Sequence, residues 1–328
     1  IHDNAGRHKN FFLFVDEFDP HEPFDTPDHY AKVTDPDWDG PPLIWPPYAK
    51  DAIKRGIISE RQGRQIRARY GAKLMMIDHW FGKVLDAIDA RGLWDDTLII
   101  VTTDHGHYLG EKDIWGKPGV PIHEPMGRIP LMMAGAGLSP KRISALTTSV
   151  DLHATLADLF GVTSAIRQRT HGVSLLPLLS GDAREVRDHV LAGVWGREVH
   201  YLDGRMKYAR APVGANAPLP MLSNRWSTMP THFLTREQEL PLPDSRARLS
   251  SMPGSSVPVI HQTWVEGDRV PYWAYAQFSG NHLYDVVRDP GELANLAGSA
   301  AEADYAARLG AALRRVGAPA EQFARLGL

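Results

Sequence analysis

The chain has 328 residues, of which 43% are hydrophobic, so it can bury a substantial core and is longer than most single domains. A formal net charge of −3 gives no basic surface for nucleic acid, and no apolar run approaches the roughly 18 residues that cross a bilayer. The absence of cysteine excludes disulfides and thiolate-bound metals but does not fix the compartment.

The first part of the chain predicts a strand, a loop and a long helix. The apolar run Phe11–Val15 predicts a buried strand, and Asp19-Pro20-His21-Glu22-Pro23 follows it as a loop. Prolines and aromatic residues between 26 and 48 predict an ordered surface loop. From Ser59 to Arg91 apolar residues recur at spacings of three and four, which predicts one helix, and Gly92 is typical of the residue that ends it.

A second strand is predicted from Leu98 to Thr102. This run is apolar or β-branched without alternation, which favours a strand covered on both faces, as in a parallel sheet flanked by helices. Ligands bind at the C-terminal ends of such strands, where Asp104 and His105 offer an oxygen and a nitrogen to a divalent metal. A solvated Asp-His-Gly turn that binds nothing is the simpler alternative.

The remaining residues predict two domains. A strand at 129–134 and a helix at 150–160 extend the first part, so residues 1–187 predict an α/β domain whose central, mostly parallel sheet is flanked by helices. Short strands, a hairpin turn at Asp203-Gly204-Arg205 and a closing helix predict a smaller domain over 188–328, with an antiparallel sheet and one helix. Proline and serine accumulate within 211–270, which predicts an irregular insertion there.

Four short motifs follow one another with compatible spacing. They are the Asp-Pro-His-Glu-Pro loop, Thr103-Asp104-His105-Gly106, Leu109-Gly110-Glu111 and Trp115-Gly116-Lys117. With them the chain resembles the sulfatase family of the alkaline-phosphatase-like superfamily, whose pattern has a P-H-x-P loop, a long helix, a strand ending in S/T-D-H/N-G, then L-G-E and W-x-K. Segments at 149–161, 172–179 and 283–296 resemble later signatures of that family, so the resemblance covers most of the chain apart from the insertion.

The resemblance implies roles for four basic residues. His21 would contact the substrate and protonate the leaving group, since a histidine can hold or donate a proton near neutral pH. Lys117 would bind a sulfate oxygen with its compact ammonium group. His107 and His123 are candidates for lining the substrate pocket, although a histidine in a loop is more often only a polar surface residue.

The resemblance also implies a metal and a nucleophile. Asp104 and His105 would be metal ligands, for Ca²⁺ in the first place and for Mn²⁺ or Mg²⁺ as alternatives. A sulfatase needs, in addition, formylglycine matured from Cys or Ser within C/S-x-P-S-R and two adjacent acidic ligands, and we find neither here. We therefore expect this sequence to be the C-terminal portion of a sulfatase-like hydrolase, with about half of the active site, whose partner is the N-terminal segment of the same enzyme.

The resulting hypothesis is a type I sulfatase, a sulfuric ester hydrolase that cleaves a small-molecule or carbohydrate sulfate monoester. A phosphonate monoester or phosphodiester hydrolase of the same superfamily would share Asp104, His105 and the sheet, and these residues separate the two activities poorly. A non-catalytic remnant that binds a ligand or a partner is a third hypothesis. Assembly into a homo-oligomer is left open.

Overall fold

The computed structural model describes residues 1–166, 168–224, 226, 242–270 and 278–328. Two compact units can be distinguished: Ile1–Pro118 with Pro125–Pro140, and Gly119–Glu124 with Lys141–Leu328. The boundary predicted at residue 187 falls inside the second unit, and the assignment of 1–187 to one catalytic domain stays a prediction. Among the helices that the structure describes, none has the length and apolar character needed to span a bilayer.

A long helix dominates the first unit. After the short helix α1, Asp28–Thr34, helix α2 covers Glu60–Arg91. The Ser59 hydroxyl accepts a hydrogen bond from the Gln62 amide, and the Gln62 side chain accepts one from the Ser59 amide, so the first turn is capped in both directions. Gly92 ends the helix in the left-handed conformation, with φ of 60°. The helix predicted from Ser59 to Arg91 is confirmed.

The first unit also contains short strands and a well-packed core. Its strands are β1 (Ala49–Lys50), β2 (Leu98–Thr102), β3 (Tyr108–Leu109), β4 (Ile114–Gly116) and β5 (Leu131–Gly135). The short helix α3 covers Glu124–Gly127, and all but its first residue belong to this unit. Strands β1, β4 and β3 form an antiparallel sheet in that order. Trp115 of β4 is fully buried in a core with Phe24, Ala52 and Ile66. This core fixes both the loop that precedes Phe24 and the residue that follows β4.

The two longer strands of this unit run in opposite directions. Leu98 of β2 lies opposite Gly135 of β5, and Thr102 lies opposite Leu131. The prediction of a mostly parallel sheet is corrected here, since every strand pair in the described part of the chain is antiparallel. Parallel neighbours need a crossover connection, whereas the chain turns back between β2 and β5 through β3, β4 and α3. The α/β fold class itself is confirmed.

The strand predicted at Phe11–Val15 is wrong. These residues form no strand, and Phe14 is 73% exposed. An apolar run becomes a strand only where a neighbouring strand takes up its backbone hydrogen-bonding groups, and no described strand pairs with this run. The sequence pattern shows the hydrophobicity of this run, but it does not show whether a neighbouring strand is available to pair with it.

The second unit contains four helices and two antiparallel sheets within its described residues. The helices are α4 (Val150–Leu159), α5 (Leu176–Ser180), α6 (Ala300–Val316) and α7 (Ala320–Leu326), and the strands are β6 (Val190–Gly193), β7 (Val199–Leu202), β8 (Met206–Arg210), β9 (Leu219–Ser223), β10 (Arg248–Ser251), β11 (Pro258–Trp264) and β12 (His282–Asp285).

The first of these sheets has the order β12, β8, β7, β6 and carries the larger core of the unit. Leu309 of α6 and Leu326 of α7 are buried together with Tyr208 and Leu283 of the sheet. The hairpin predicted at Asp203-Gly204-Arg205 is confirmed: it joins β7 to β8, and the Asp203 carboxylate accepts hydrogen bonds from two amides of the turn. Side-chain capping of this kind favours the tight turn.

The second sheet corrects the irregular insertion predicted within 211–270. Strands β10, β11 and β9 pair in that order, and Leu219 and Trp264 are buried beside them. The prolines that suggested irregularity occupy positions that a sheet tolerates, because Pro220 lies on the edge strand β9 and Pro258 is the first residue of β11. Residues 225 and 227–241, also part of that prediction, lie outside the described residues.

Candidate active site

Two basic residues that are distant in the sequence are in hydrogen-bonding contact. Nζ of Lys117 lies 2.8 Å from Nε2 of His21, although 96 positions separate the two residues. The His21 amide donates to the Phe18 carbonyl oxygen at 3.1 Å, which defines a turn. Lys117 directly follows β4, whose last residue, Gly116, has a φ of 74° that favours glycine. The loop turn and the end of β4 thus bring an ammonium group and an imidazole together.

The hydrogen bonds of His21 define its protonation. An ammonium group only donates, so Nε2 of His21 accepts the hydrogen bond from Lys117. The other ring nitrogen, Nδ1, lies 2.7 Å from the carbonyl oxygen of Glu22, which only accepts, so Nδ1 carries the ring proton. His21 is therefore a neutral imidazole whose Nε2 lone pair faces a lysine proton.

The buried carboxylate of Glu22 joins three basic side chains. Its Oε1 lies 3.0 Å from Nζ of Lys117, and its Oε2 lies 3.3 Å from Nε2 of His107 and 3.6 Å from Nδ1 of His21. Burial alone would raise the pKa of Glu22, but the close contacts with His107 and Lys117 and the charge of Lys117 lower it to about 2. These four residues are called the open cluster, because the side chains of His21 and Lys117 are 37% and 20% exposed.

His107 lies on the inner side of the open cluster. Its ring packs edge-on against Phe24, with 5.4 Å between the ring centroids, and the ring of Tyr70 is 6.2 Å away. Burial raises the pKa of Tyr70, so its hydroxyl stays protonated. The structure thus brings His107 to Glu22, while its predicted contact with substrate stays a prediction.

Glu22 is the member of the open cluster that the sequence analysis missed. The available signal was its position between His21 and Pro23, in a loop whose backbone is restricted by proline. A carboxylate next to a candidate general acid is a reason to consider it. Nothing local, however, indicates that it is buried or that Lys117 and His107 are its partners.

Asp104 and His105 lie just beyond the end of β2. Oδ2 of Asp104 is 3.5 Å from Nε2 of His105, and Oδ1 accepts a hydrogen bond from the His105 amide at 2.8 Å. Burial would raise the pKa of Asp104, but that amide and the His105 imidazole lower it below its ordinary value. These two donors fit part of a divalent-metal shell. Across the ranges that the structure describes, no group of three or more His, Cys, Asp or Glu residues gathers to complete one.

Gly106, which follows His105, occupies a position where only glycine fits. The Gly106 amide donates to the Met126 carbonyl oxygen at 2.9 Å, and a Cβ at Gly106 would lie 1.9 Å from the Pro125 carbonyl oxygen. No side chain fits in that space. The close packing of Gly106 against residues 125 and 126 fixes the turn that carries Asp104 and His105.

His123, another predicted substrate-contacting residue, belongs to the second unit. Its Nδ1 lies 3.1 Å from Oε2 of Glu292, whose Oε1 lies 3.0 Å from Nζ of Lys207; Lys207 also approaches Glu124 at 3.2 Å. Burial opposes the ionisation of Glu292, but the His123 hydrogen bond and the Lys207 charge lower its pKa to about 2. His123, Glu124, Lys207 and Glu292 are called the closed cluster, since the side chains of His123 and Lys207 are only 7% and 3% exposed. The substrate contact of His123 stays a prediction.

Of the two clusters, the open one has the groups that an oxyanion reaction requires. A lysine ammonium and a neutral imidazole share a hydrogen bond, and both are within reach of solvent. The buried carboxylate of Glu22 forms an ion pair with the lysine. Such a pair can bind an anionic oxygen and transfer a proton to a departing one.

Comparisons with known proteins give a consistent result. A family model described as Sulfatase matches residues 1–162. The chain is 33% identical over 155 residues to a choline-sulfatase of Rhizobium meliloti (strain 1021), a match that covers 46% of this chain and 30% of that protein. It is 30% identical over 220 residues to the multifunctional alkaline phosphatase superfamily protein PehA of Trinickia caryophylli, which covers 59% of this chain and 40% of that protein.

A solved structure described as a 2-O GAG sulfatase resembles the chain with a TM-score of 0.53 and 19% identity, over 79% of this chain and 45% of that one. At this identity the likeness concerns the fold. Each of the three matches covers less than half of the relative's own length.

Proposed function

We propose that the chain is a sulfatase-family hydrolase and carries the sulfate-binding and proton-donating part of an active site that hydrolyses a sulfate monoester, because the Sulfatase family model matches residues 1–162 and a choline-sulfatase is 33% identical over 155 residues. The observation that carries this proposal is the contact between Lys117 and His21 in the open cluster. Sulfate ester cleavage develops negative charge on the sulfuryl oxygens and on the departing oxygen, so it needs a fixed cation and a proton donor. The open cluster contains both.

Lys117 would bind the sulfuryl group. The ammonium donates to Nε2 of His21 at 2.8 Å and forms an ion pair with Glu22 at 3.0 Å, and a sulfuryl oxygen would accept a further N–H from it. Its ion pair with the buried carboxylate orients the ammonium group. The lysine ammonium is a compact charge at the end of a flexible side chain, so it can bind the sulfuryl group without restricting the shape of the rest of the substrate.

The proton for the leaving oxygen would come from the same pair. In the substrate-free arrangement one proton lies on the hydrogen bond between Nζ of Lys117 and Nε2 of His21. As a nucleophile from outside these residues forms its bond to sulfur and the bond to the leaving oxygen breaks, the departing alkoxide or phenoxide takes that proton. The lysine–imidazole pair, which has lost one proton, is then reprotonated from solvent. The proton on Nδ1 of His21 stays on the Glu22 carbonyl oxygen, which holds the ring in place.

Asp104 and His105 would hold part of a divalent-metal site, with Ca²⁺ proposed first and Mn²⁺ or Mg²⁺ as alternatives. The ion, when bound, would offset negative charge on the sulfuryl oxygens. We also propose that formylglycine and the remaining metal ligands come from another segment of the same enzyme, since the chain contains no cysteine. On this proposal the 328 residues supply about half of the active site, and the substrate is a small-molecule or carbohydrate sulfate ester.

A phosphonate monoester or phosphodiester hydrolase is the second candidate. The match to PehA, a protein described as multifunctional, covers 59% of this chain and supports it. Lys117 and His21 would serve equally well there, because a phosphoryl group also presents anionic oxygens. Parallel assays with an aryl sulfate and an aryl phosphonate monoester separate the two candidates. A chain that only binds a sulfated ligand would cleave neither.

The proposal is tested with Lys117→Ala and His21→Ala in the full-length enzyme. Each substitution should lower turnover of 4-nitrophenyl sulfate about a hundredfold, since the loss of one charge-stabilising contact raises the barrier by about 3 kcal/mol. Lys83→Ala, at an exposed position of α2, is the control and should retain full activity. Wild-type turnover in Lys117→Ala would contradict the proposed role. Hydrolysis by the 328 residues alone, at an enzyme-like rate, would show that the nucleophile lies within them.

A further inference from the structure

A buried lysine of α2 holds both ends of the loop that carries His21 and Glu22. Nζ of Lys73 lies 2.5 Å from Oδ1 of Asp19 and 3.4 Å from Oδ1 of Asp25. Asp19 comes two residues before His21, and Asp25 three residues after Glu22. Lys73, Asp19 and Asp25 are called the Lys73 clamp.

Lysine is an unusual choice for this buried position. The side chain of Lys73 is 7% exposed, and lysine is almost never buried without a charged partner. An apolar side chain could fill the same space without the cost of desolvating an ammonium group. A buried ammonium at this position therefore adds little to the free energy of unfolding compared with an apolar side chain. Its role is better explained by the loop with His21 and Glu22 that the clamp fixes.

The loop itself has few other anchors on its N-terminal side. On the C-terminal side, Phe24 is fully buried and its amide donates to the Ile44 carbonyl oxygen at 2.7 Å. Before His21 the backbone contact is the turn to Phe18, and the preceding apolar run forms no strand. The ion pair between Lys73 and Asp19 is consequently the main side-chain tie between α2 and the start of the loop.

We infer that Lys73 is a positioning residue for the sulfate site, which acts through Asp19 to keep His21 and Glu22 against Lys117. This inference rests on the proposed function for the identity of the bound anion. The two ends of the clamp should contribute unequally. Asp19 makes the shorter contact and its side chain is 20% exposed, whereas that of Asp25 is 66% exposed, so Asp19 matters more.

The experiment uses the chain labelled with ¹⁵N at its 15 histidines and titrated with inorganic sulfate. Signals of His21 are assigned with His21→Asn. In Lys73→Met and in Asp19→Asn, the His21 ring signal should move or broaden before sulfate is added. Sulfate affinity should fall about tenfold or more, because displacement of a binding group by about 1 Å already costs that much.

Matched variants separate positioning from general loss of structure. Lys83→Met removes an exposed lysine from the same helix and should leave the His21 signal and the sulfate affinity unchanged. Lys73→Arg retains the charge and should recover part of the affinity. Asp25→Asn should weaken binding only about twofold to threefold. If Lys73→Met fails to fold by circular dichroism, Asp19→Asn, which keeps Lys73 and changes a partly exposed residue, decides the question.

A folded Lys73→Met or Asp19→Asn with the wild-type His21 signal would overturn the inference. Failure of the proposed function gives a different result. If the wild-type chain shows no sulfate-dependent change at all, the anion site is wrong, while the His21 signal in the absence of sulfate still reports on the clamp.

Discussion

The open and the closed cluster are built from the same chemical groups but differ in access to solvent. Each has a buried glutamate, Glu22 or Glu292, with a pKa lowered to about 2 by a lysine and a histidine. The lysine of the open cluster has a side chain that is 20% exposed, whereas that of the closed cluster is 3% exposed. A buried carboxylate with a reachable cation can bind a ligand. When the cation is buried as well, as Lys207 is, the arrangement ties together parts of the protein.

The surroundings of the clusters support this difference. Near the closed cluster, burial and then the charge of Lys207 lower the pKa of His200 to about 3, so the closed interior keeps this histidine neutral. Glu292 also accepts a hydrogen bond from the Glu124 amide at 2.8 Å, a contact that fixes backbone. In the open cluster, by contrast, Lys117 donates to Nε2 of His21, and the same N–H can turn to a substrate oxygen instead.

The largest effect on stability is expected from Lys207→Met in the closed cluster. It removes the ammonium partner of Glu292, whose side chain is buried, and of Glu124, so the free energy of unfolding should fall by about 3–5 kcal/mol. Lys117→Met is the matched change in the open cluster. There His107 remains beside Glu22 and solvent can enter, so the loss should be roughly 1–3 kcal/mol. Urea denaturation measures both, and equal losses would break the distinction between the clusters.

The pH dependence of stability should show what the clusters share. Both glutamates have an ordinary pKa of 4.5 and a folded pKa of about 2, so each stabilises the fold fully above pH 4.5 and loses that contribution as the pH falls towards 2. The difference between the two pKa values corresponds to about 3 kcal/mol for each carboxylate. Glu22→Gln and Glu292→Gln should each flatten the acid limb of a plot of unfolding free energy against pH. If the unfolding free energy of either variant depended on pH as that of the wild type does, the replaced glutamate would not be the ionised carboxylate of its cluster.

The smallest effect on stability is expected at Asp104, the proposed metal ligand. The side chain of Asp104 is 81% exposed, so Asp104→Ala should change the free energy of unfolding of the chain by no more than about 0.5 kcal/mol. In the full-length enzyme the same substitution should reduce the bound metal, measured by elemental analysis, together with activity. Asp96→Ala, an exposed change just before β2, serves as the control. Unchanged metal content in Asp104→Ala would remove this residue from the proposed metal site.

Several local features were correctly predicted because neighbouring residues encode them. The length of α2 follows from apolar spacing and from Ser59 and Gly92 at its ends, and the β7–β8 turn follows from Asp203-Gly204-Arg205. His21 and Lys117 were singled out through the resemblance to a family. That they lie 2.8 Å apart was not visible in the sequence.

Other features depend on which segments meet in space. Phe11–Val15 has the composition of a buried strand, yet it forms none, because hydrophobicity does not supply a hydrogen-bonding neighbour. The direction in which β2 and β5 pair is likewise set by the path of the chain between them. Pro220 and Pro258 suggested irregular structure because a proline in the sequence does not reveal whether its strand lies at an edge.

The residue types at the candidate site were therefore available from the sequence by itself, as short motifs with a recognisable order. The tertiary structure decided which of them share an environment: it placed Glu22 beside both Lys117 and His107, and His123 with Glu292 instead. The physical reason is that capping, periodicity and turn formation act between residues a few positions apart. Burial and the partner of a charged group depend on contacts between residues that are distant in the chain, and these exist only once the core has formed.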